Sequence, residues 1–412
     1  MLKILMIVPA LGAVYGGPSL TAIGLAGALG RLGASVDVVT TNADGDQNQD
    51  VPLEEWIVHS GYRLRYFPRL HFSEFKVSLP LLRWLYNHLR DYDIVHGTSV
   101  FNFPALAYSS LAQLQGIPYV INPQGMLEPW ALAHKAWKKK IYFQIIERPR
   151  LVTAAAIHCL TIHEAENVAA LGLGTPLVIV PNGVSEEELE SQSVDREPLF
   201  QQFPNLRKKT LVLFLHRVDP KKGLDILAPA FAEACRRLPE LDLHLVVAGP
   251  PTDNFLPVAQ GYFKTAGCSD RTTFTGMISG DVKRAALAAA TVFVTPTYSE
   301  GFSMAVLEAM AAGLPSVLTT GCNFPEAGDV GAASVVEIDS AAFGAALIAL
   351  LSDAARARAM GERARMFVRR FYSWEAAASR TIAIYQAILS HTPLPFTYSR
   401  RNADRAILNS PK

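Results

Sequence analysis

The chain has 412 residues, half of them hydrophobic, which is enough to bury the cores of two or three domains. Its 38 basic and 37 acidic residues leave a formal net charge of +1, which argues against nucleic acid as a partner. Four widely spaced cysteines indicate a reducing, cytoplasmic setting, and no apolar run reaches the ~18 residues of a transmembrane helix.

Short apolar runs alternate with longer helical patterns in the first part of the chain. "KILMIVP" predicts a strand, "SLTAIGLAGALGRLG" a helix ending at Gly33, and "SVDVVTT" a parallel strand. A buried strand explains the N-terminal run better than a signal peptide, because the following "YGGPS" is typical of a turn. "DIVHGTS", "YVINPQG", "AIHCLT" and "LVIVPNG" predict further strands, so residues 1–185 are expected to form an α/β domain.

The same order restarts after a polar stretch at 186–205, which is interpreted as a linker. "TLVLFLHRVDPKKG", "LHLVVAGP", "TTFTGMI", "TVFVTPTYSEGF" and "PSVLTTG" predict strands with helices between them over 206–375. The last helix, within 376–412, should pack back on the first domain. The predicted fold is thus two Rossmann-like, doubly wound parallel-sheet domains that face a central cleft.

Two glutamates flank a predicted helix start in "YSEGFSMAVLEAMAAGLP". The helix is expected over about 303–312, followed by Gly313. Its free N–H groups and dipole favour an anion, and carboxylates accept hydrogen bonds from hydroxyls. Glu300 and Glu308 could therefore hold the sugar hydroxyls on either side of a sugar nucleotide's phosphates, although two surface glutamates would show the same spacing.

A basic loop follows the first strand of the second domain, in "HRVDPKKGLDIL". Arg217 and Lys222 are placed to flank a diphosphate, because guanidinium binds its oxygens bidentately and ammonium acts as a point charge. A solvated basic turn is the alternative interpretation.

Together, R-x-x-x-x-K and E-x-F-S-x-x-x-x-E resemble glycosyltransferase family 4, the retaining enzymes of the GT-B fold that use nucleotide-activated sugars. The resemblance also covers "YGGPS", "DIVH" and "VIVPNGV". It implies that Glu300 contacts the transferred hexose, that Glu308 contacts the ribose, and that Arg217 and Lys222 hold the diphosphate. The backbone expected to assist them lies at Gly301, Phe302, Ser303, Met304 and Ala305.

The resemblance implies further contacts with the base and the phosphates. Met277, in "FTGMIS", lies nearest the expected base contact, and Gly16 and Gly17 would let backbone approach the phosphates closely.

The first departure is Ser303, which replaces a glycine of many members and can cap the helix. The second lies where many members read H-x-H and this chain has His96, Gly97 and Thr98. Either His96 or Thr98 is expected to contact the sugar, with His96 the catalytic candidate; the alternative interpretation of His96 is a structural histidine at the end of a strand.

The mechanism implied is front-face attack in which the leaving phosphate takes the acceptor proton. Arg217, Lys222 and the helix N-terminus would stabilise that phosphate, so no metal or other cofactor is expected. "DYD" at 91–93 precedes a strand and is interpreted as a turn. UDP-glucose is the preferred donor by family frequency, and a GDP-sugar is the alternative.

The acceptor side is indicated by a basic and aromatic segment, whose members are Trp130, Lys135, Trp137, Lys138, Lys139 and Lys140. It could contact anionic lipid at the inner face of the plasma membrane, or be a solvated helix face. "PQGMLEPWAL" resembles members that build surface polysaccharides, which implies a saccharide or lipid-linked saccharide acceptor. A GT-B phosphorylase, a sugar-nucleotide epimerase and a non-enzymatic two-domain sugar-binding protein are the alternatives.

Overall fold

The structure, a computed structural model, describes residues 1–15, 17–70, 75–129, 132, 140–185 and 194–399. The chain divides into two compact units: unit 1 is Met1–Gly183 with Ser373–Lys412, and unit 2 is Val184–Tyr372. Some residues singled out above lie outside the described residues: Gly16, Trp130, Lys135, Trp137, Lys138 and Lys139.

Unit 1 is built around an eight-stranded sheet. The strands of unit 1, including two outside this sheet, are β1 Lys3–Ala10, β2 Ser35–Thr41, β3 Ala43–Asp44, β4 Gln47–Asn48, β5 Trp56–His59, β6 Tyr62–Phe67, β7 Ile94–Thr98, β8 Tyr119–Asn122, β9 Ala156–Cys159 and β10 Leu177–Ile179. The sheet order is β10-β9-β8-β7-β1-β2-β6-β5, while β3 and β4 pair separately. All sheet pairs are parallel except β5 with β6, an antiparallel edge hairpin that was not predicted.

The helices of unit 1 are α1 Gly17–Arg31, α2 Leu79–His88, α3 Phe103–Gln115, α4 Arg148–Val152, α5 Ile162–Ala169 and, after unit 2, α14 Trp374–Leu389. Local chemistry sets several of their ends. Asn102 caps α3 by accepting from the N–H of Ala105 at 2.9 Å, and Gly116 ends α3 with φ 72°.

The C-terminal helix α14 packs on α1 of unit 1, which confirms the predicted return of the chain. The Trp374 ring lies against Gly24, where any Cβ would collide with the indole. Arg31 and Glu375 form an ion pair of 2.8 Å at the edge of this contact. Trp374 and Ile384 belong to the same buried core as Ile4 of β1.

Unit 2 contains a six-stranded parallel sheet. Its strands are β11 Thr210–Leu215, β12 Leu243–Ala248, β13 Thr272–Gly276, β14 Val292–Thr295, β15 Ser316–Thr319 and β16 Ser334–Val336. The order is β13-β12-β11-β14-β15-β16, so the winding reverses between β11 and β14. Ligands of open parallel sheets bind beyond the strand ends at such a reversal. The two sheets confirm the predicted α/β, doubly wound class.

The helices of unit 2 are α6 Glu197–Gln202, α7 Leu224–Arg237, α8 Leu256–Ala266, α9 Gly280–Ala289, α10 Met304–Ala311, α11 Pro325–Asp329, α12 Ser340–Ser352 and α13 Ala354–Phe371. Helix α6 lies within the stretch interpreted as a linker, 186–205. It forms there because Leu199 is fully buried, as is Leu206 just beyond it.

Within the described ranges, no single helix has the length and apolar character to cross a membrane. Only α12 and α13 taken together reach that composition, and they are bent by 103° relative to one another. Their apolar side chains, Phe343 and Leu347 among them, lie in the buried core of unit 2.

Candidate functional site

The loops that follow β11 and β14 are held against each other where the strand order of unit 2 reverses. The Lys221 carbonyl accepts from the Tyr298 N–H at 2.8 Å and from Thr297 Oγ1 at 2.9 Å. Gly223 adopts φ 70°, and a Cβ there would collide with the Pro296 carbonyl oxygen. Glycine is therefore required at this close approach for both reasons.

Glu300 is fixed at the centre of this loop pair. The Glu300 N–H donates to the Gly321 carbonyl at 2.8 Å, and Asn323 Nδ2 donates to the Glu300 carbonyl at 2.6 Å. Its Oε1 accepts from Lys222 Nζ and lies 3.5 Å from His216 Nδ1. The structure therefore brings together the two predicted residues Glu300 and Lys222, which are 78 positions apart in sequence.

His216, the residue before Arg217, was not predicted. Burial lowers its pKa to about 4 although the Glu300 carboxylate acts in the opposite direction, so the ring is neutral at pH 7. Its Nε2 is buried and has no hydrogen-bond partner in the described part of the chain. The ring was overlooked because a histidine beside a basic loop gives no sequence signal of burial.

The helix α10 begins beside Glu300. Ser303 is its N-cap and accepts from the Val306 N–H at 3.3 Å. The N–H groups of Met304 and Ala305 have no acceptor among the described residues, as usual in a first helical turn. Such a terminus favours an anionic ligand.

Glu308 lies on α10 and has a lysine of its own. Lys283 Nζ of α9 is 2.8 Å from its Oε1, and the two side chains are 27% and 12% exposed, respectively. Lys283 was not predicted, because the pairing joins two helices that are separated by β14. Each of the two glutamates is thus neutralised by a different lysine in the structure.

Four other predicted residues, Arg217, Met277, Phe302 and Gly301, differ in exposure. Arg217 is exposed and makes no ion pair with any described residue, so its guanidinium is available. Met277 follows β13 and is 67% exposed. The Phe302 ring stacks on Tyr372, with ring centroids 6.3 Å apart, and Gly301 is partly buried.

In unit 1, His96 and Thr98 of β7 are 1% and 4% exposed. Thr98 Oγ1 donates to the Ile7 carbonyl at 3.3 Å. His96 Nδ1 is 2.5 Å from the Tyr385 hydroxyl, and its Nε2 is 3.3 Å from His158 Nδ1. Both ring nitrogens of His96 are therefore engaged within the protein, and its contact with a sugar remains a prediction.

The partners of this pair specify where the protons lie. His158 Nε2 is 2.7 Å from the Val180 carbonyl, which only accepts, so Nε2 carries the proton and Nδ1 is an acceptor, with His96 Nε2 at 3.3 Å and Asn122 Nδ2 at 3.4 Å as its donors. Tyr385 then donates to His96 Nδ1. Burial holds the pKa of His96 well below its ordinary value and lowers that of His158 to about 4. Both rings are neutral at pH 7.

Two buried carboxylates hold the strand-end loops of unit 1. Glu147 Oε1 accepts from the N–H of Phe101, a residue with φ 59°, at 2.7 Å. Glu164 accepts from the N–H of Gly125 at 2.6 Å and from that of Leu160 at 2.7 Å. Burial raises the pKa of Glu164 to about 7. Neither glutamate was predicted.

No group of three or more histidine, cysteine, aspartate or glutamate side chains within the described ranges could hold a metal ion. Asp93 of the "DYD" string accepts from the Lys3 N–H at 2.7 Å, before β7 begins. Gly17 is the first residue of α1, after β1.

Comparisons with known proteins match both units. The family model "Glycosyl transferase 4-like domain" matches residues 16–183, and "Glycosyl transferases group 1" matches 209–353. A phosphatidyl-myo-inositol mannosyltransferase of Mycobacterium leprae is 30% identical over 404 residues, covering 94% of this chain and 97% of the relative.

Two further proteins are similar to this chain. A GDP-mannose-dependent alpha-(1-6)-phosphatidylinositol monomannoside mannosyltransferase of Mycobacterium tuberculosis is 30% identical over 223 residues, 52% of this chain and 56% of that one. The solved sucrose-phosphate synthase of Thermosynechococcus elongatus has a TM-score of 0.73 at 20% identity, covering 95% of this chain and 100% of that chain. With both units matched and a relative aligned over nearly its full length, the chain belongs to glycosyltransferase family 4 and is a hexosyltransferase of the GT-B fold.

Proposed function

We propose that this glycosyltransferase moves a hexose from a nucleoside-diphosphate sugar, held at the strand reversal of unit 2, to a lipid-linked acceptor. The observation that carries the proposal is the arrangement around Glu300. A nearly buried carboxylate, a lysine and an arginine that has no ion-pair partner among the described residues lie at the ends of β11 and β14, beside the N-terminus of α10.

For the donor we propose GDP-mannose. The relatives from Mycobacterium leprae and Mycobacterium tuberculosis are named as mannosyltransferases, and the second name includes GDP-mannose. UDP-glucose, preferred above by family frequency, is the alternative. Met277 follows the edge strand β13 and is the candidate neighbour of the base.

The proposed roles follow from charge. Arg217 and Lys222 hold the diphosphate, and the first N–H groups of α10 assist them. Glu300 accepts from hydroxyls of the hexose and Glu308 from those of the ribose. In the transfer step the bond from the anomeric carbon to the diphosphate oxygen breaks. A bond to the acceptor oxygen forms on the same face, and the acceptor proton passes to the leaving phosphate.

For the acceptor we propose a hydroxyl of a saccharide or inositol carried on a membrane lipid. Lys140 is exposed, and the neighbouring Ile141 and Ile145 are 52% and 69% exposed. A lysine beside exposed apolar side chains suits the interface of an anionic bilayer. The names of the relatives from Mycobacterium leprae and Mycobacterium tuberculosis also include a phosphatidylinositol lipid.

A ligand panel tests the donor. Calorimetric titration with GDP, UDP, GDP-mannose and UDP-glucose, all in excess chelator, should show binding of one nucleotide and its sugar without divalent metal. A transfer assay with phosphatidylinositol vesicles should then yield a product whose anomeric configuration, read by NMR, is that of the donor. Binding that disappears in chelator and returns with magnesium would contradict the metal-free site.

The two glutamates separate the base-proximal from the sugar-proximal half of the site. Glu308→Ala should weaken the bare nucleotide, whereas Glu300→Ala should spare it and weaken the sugar nucleotide and turnover. A hydrogen bond to a charged group is worth roughly 1.5–3 kcal/mol, so each loss should be about ten- to a hundredfold. Exposed Glu362→Ala on α13 is the matched control. If both site variants bound like the parent, the site would be wrong.

A further inference from the structure

We propose that His216 is a positioning residue for Glu300: its Nδ1–H retains Oε1 of Glu300 when Lys222 transfers to the diphosphate of the donor. Glu300 Oε2 is then presented to a hexose hydroxyl in a fixed orientation. The inference rests on the donor site proposed above and adds to it a residue from outside the predicted set.

Two side-chain nitrogen atoms lie near one oxygen of the Glu300 carboxylate. Lys222 Nζ contacts Glu300 Oε1, and His216 Nδ1 lies 3.5 Å from the same atom. The second oxygen, Oε2, makes no hydrogen bond to the described residues and is not completely buried. The distance to His216 is longer than a hydrogen bond but within reach of one after a small shift. In the structure, therefore, Lys222 binds the Glu300 carboxylate and His216 lies beside it.

The protonation of His216 suits it to this role. A neutral imidazole has a single N–H, and burial keeps this ring neutral. A proton on Nδ1 directs a donor at the carboxylate, whereas a proton on Nε2 would direct a lone pair at it. With the proton on Nδ1, Nε2 is a buried acceptor without a partner among described residues. Fold stability alone gives no reason to keep such an atom.

The ring is held in place by its neighbours. His216 lies with ring centroids 5.4 Å from Phe214 and 6.3 Å from Phe293. Its N–H continues the ladder with β12 by donating to the Ala248 carbonyl at 3.0 Å. A Cβ at Gly249 would collide with the His216 carbonyl oxygen, so the backbone has little freedom to move. The donor is thus fixed in orientation before any ligand binds.

Charge explains why a second donor is needed. A diphosphate carries more negative charge than one carboxylate and competes for the ammonium of Lys222. When Lys222 moves, Glu300 is left beside a new anion in a nearly buried site, which disfavours its present position. A neutral N–H from His216 retains the carboxylate without competing for the phosphate.

Two amide variants of His216 test which ring nitrogen acts on Glu300. The amide nitrogen of His216→Asn falls near Nδ1 and can donate to Glu300, whereas that of His216→Gln falls near Nε2. His216→Leu removes both, and Glu300→Gln reports on the proposed site independently. The probes are GDP and GDP-mannose, with UDP and UDP-glucose in parallel, by calorimetry and by transfer kinetics. Melting temperatures identify variants that have lost the fold.

We expect His216→Gln and His216→Leu to lose about tenfold in kcat/KM for the sugar nucleotide with unchanged affinity for the bare nucleotide. His216→Asn should recover most of that loss. Equal behaviour of the Asn and Gln variants, or equal losses for nucleotide and sugar nucleotide, would overturn the inference. If Glu300→Gln matched the parent, the donor site itself would fail. If Glu300→Gln were impaired while all His216 variants matched the parent, only the role of His216 would fail.

Discussion

Replacing His158 by glutamine should change how the stability of unit 1 depends on pH. In the folded chain His158 donates through Nε2 to the Val180 carbonyl and accepts at Nδ1 from His96, which in turn accepts from Tyr385 of α14. These contacts require neutral rings. A proton on His158 Nδ1 would place two N–H groups of the histidine pair against each other, so protonation should release α14 from the sheet.

The sign and size of the change in stability with pH follow from the pKa of His158. It falls from an ordinary value of 6.5 to about 4, because burial disfavours the charged ring. The unfolded chain therefore binds the proton first, and stability that is complete above pH 6.5 is lost as the pH falls toward 4. The whole difference is worth about 3 kcal/mol, of which about 2 kcal/mol is lost between pH 7 and pH 5. His96, whose pKa is also lowered, adds in the same direction.

A buried carboxylate acts with the opposite sign in the same unit. Burial raises the pKa of Glu164 to about 7 from 4.5, so its contribution grows as the pH falls through 7 and is lost as the pH rises. Over pH 7 to 5 the contribution of Glu164 offsets that of His158, so the melting temperature of the parent alone does not report on His158. The difference between the parent and His158→Gln isolates the histidine.

The assay is hydrogen exchange of α14 amides at pH 7 and pH 5, corrected for intrinsic exchange rates, together with melting temperatures. Glutamine can still donate to the Val180 carbonyl, so the variant should fold. Between pH 7 and pH 5 it should retain about 2 kcal/mol more of its protection than the parent does. His163→Gln, a half-exposed histidine of α5, is the control. Identical pH profiles for parent and His158→Gln would refute the proton assignment.

Three further predictions concern other contacts. Glu164→Gln should flatten the opposite part of the pH profile and increase proteolysis near Gly125, because an amide cannot accept both backbone N–H groups; cleavage rates equal to the parent's would contradict this. Gly24→Val should displace Trp374 and reduce the free energy of unfolding by roughly 1–3 kcal/mol, which a lower melting temperature would report. Gly27→Ala on the same helix, where the nearest atom to the added Cβ is 3.4 Å away, should reduce the free energy of unfolding by less. Replacing the lysines at 138–140 by glutamine should reduce attachment to anionic vesicles in a flotation assay without changing nucleotide affinity; unchanged attachment would favour a solvated face.

The sequence by itself determined the order and type of the main elements. Buried strands of a parallel sheet are short apolar runs, and their period distinguishes them from the helices between them. The helix α10 could be located within one residue at each end, because Ser303 caps it and Gly313, at φ 76°, ends it. The edge hairpin of β5 and β6 was missed because the prediction relied on continuous apolar runs, whereas β6 alternates basic and apolar side chains, as half-buried edge strands do.

Only the tertiary structure decided which polar groups meet. Nothing in the local pattern of "HRVDPKKG" distinguishes a solvated histidine from one buried beside Glu300, since burial depends on β12 and β14 on either side of β11. His96 would look the same in sequence whether or not a helix 289 residues away placed Tyr385 against it. Local patterns report backbone preference and amphipathicity, which act between near neighbours. Burial and ion pairing depend on long-range contacts, and these exist only once the chain has folded.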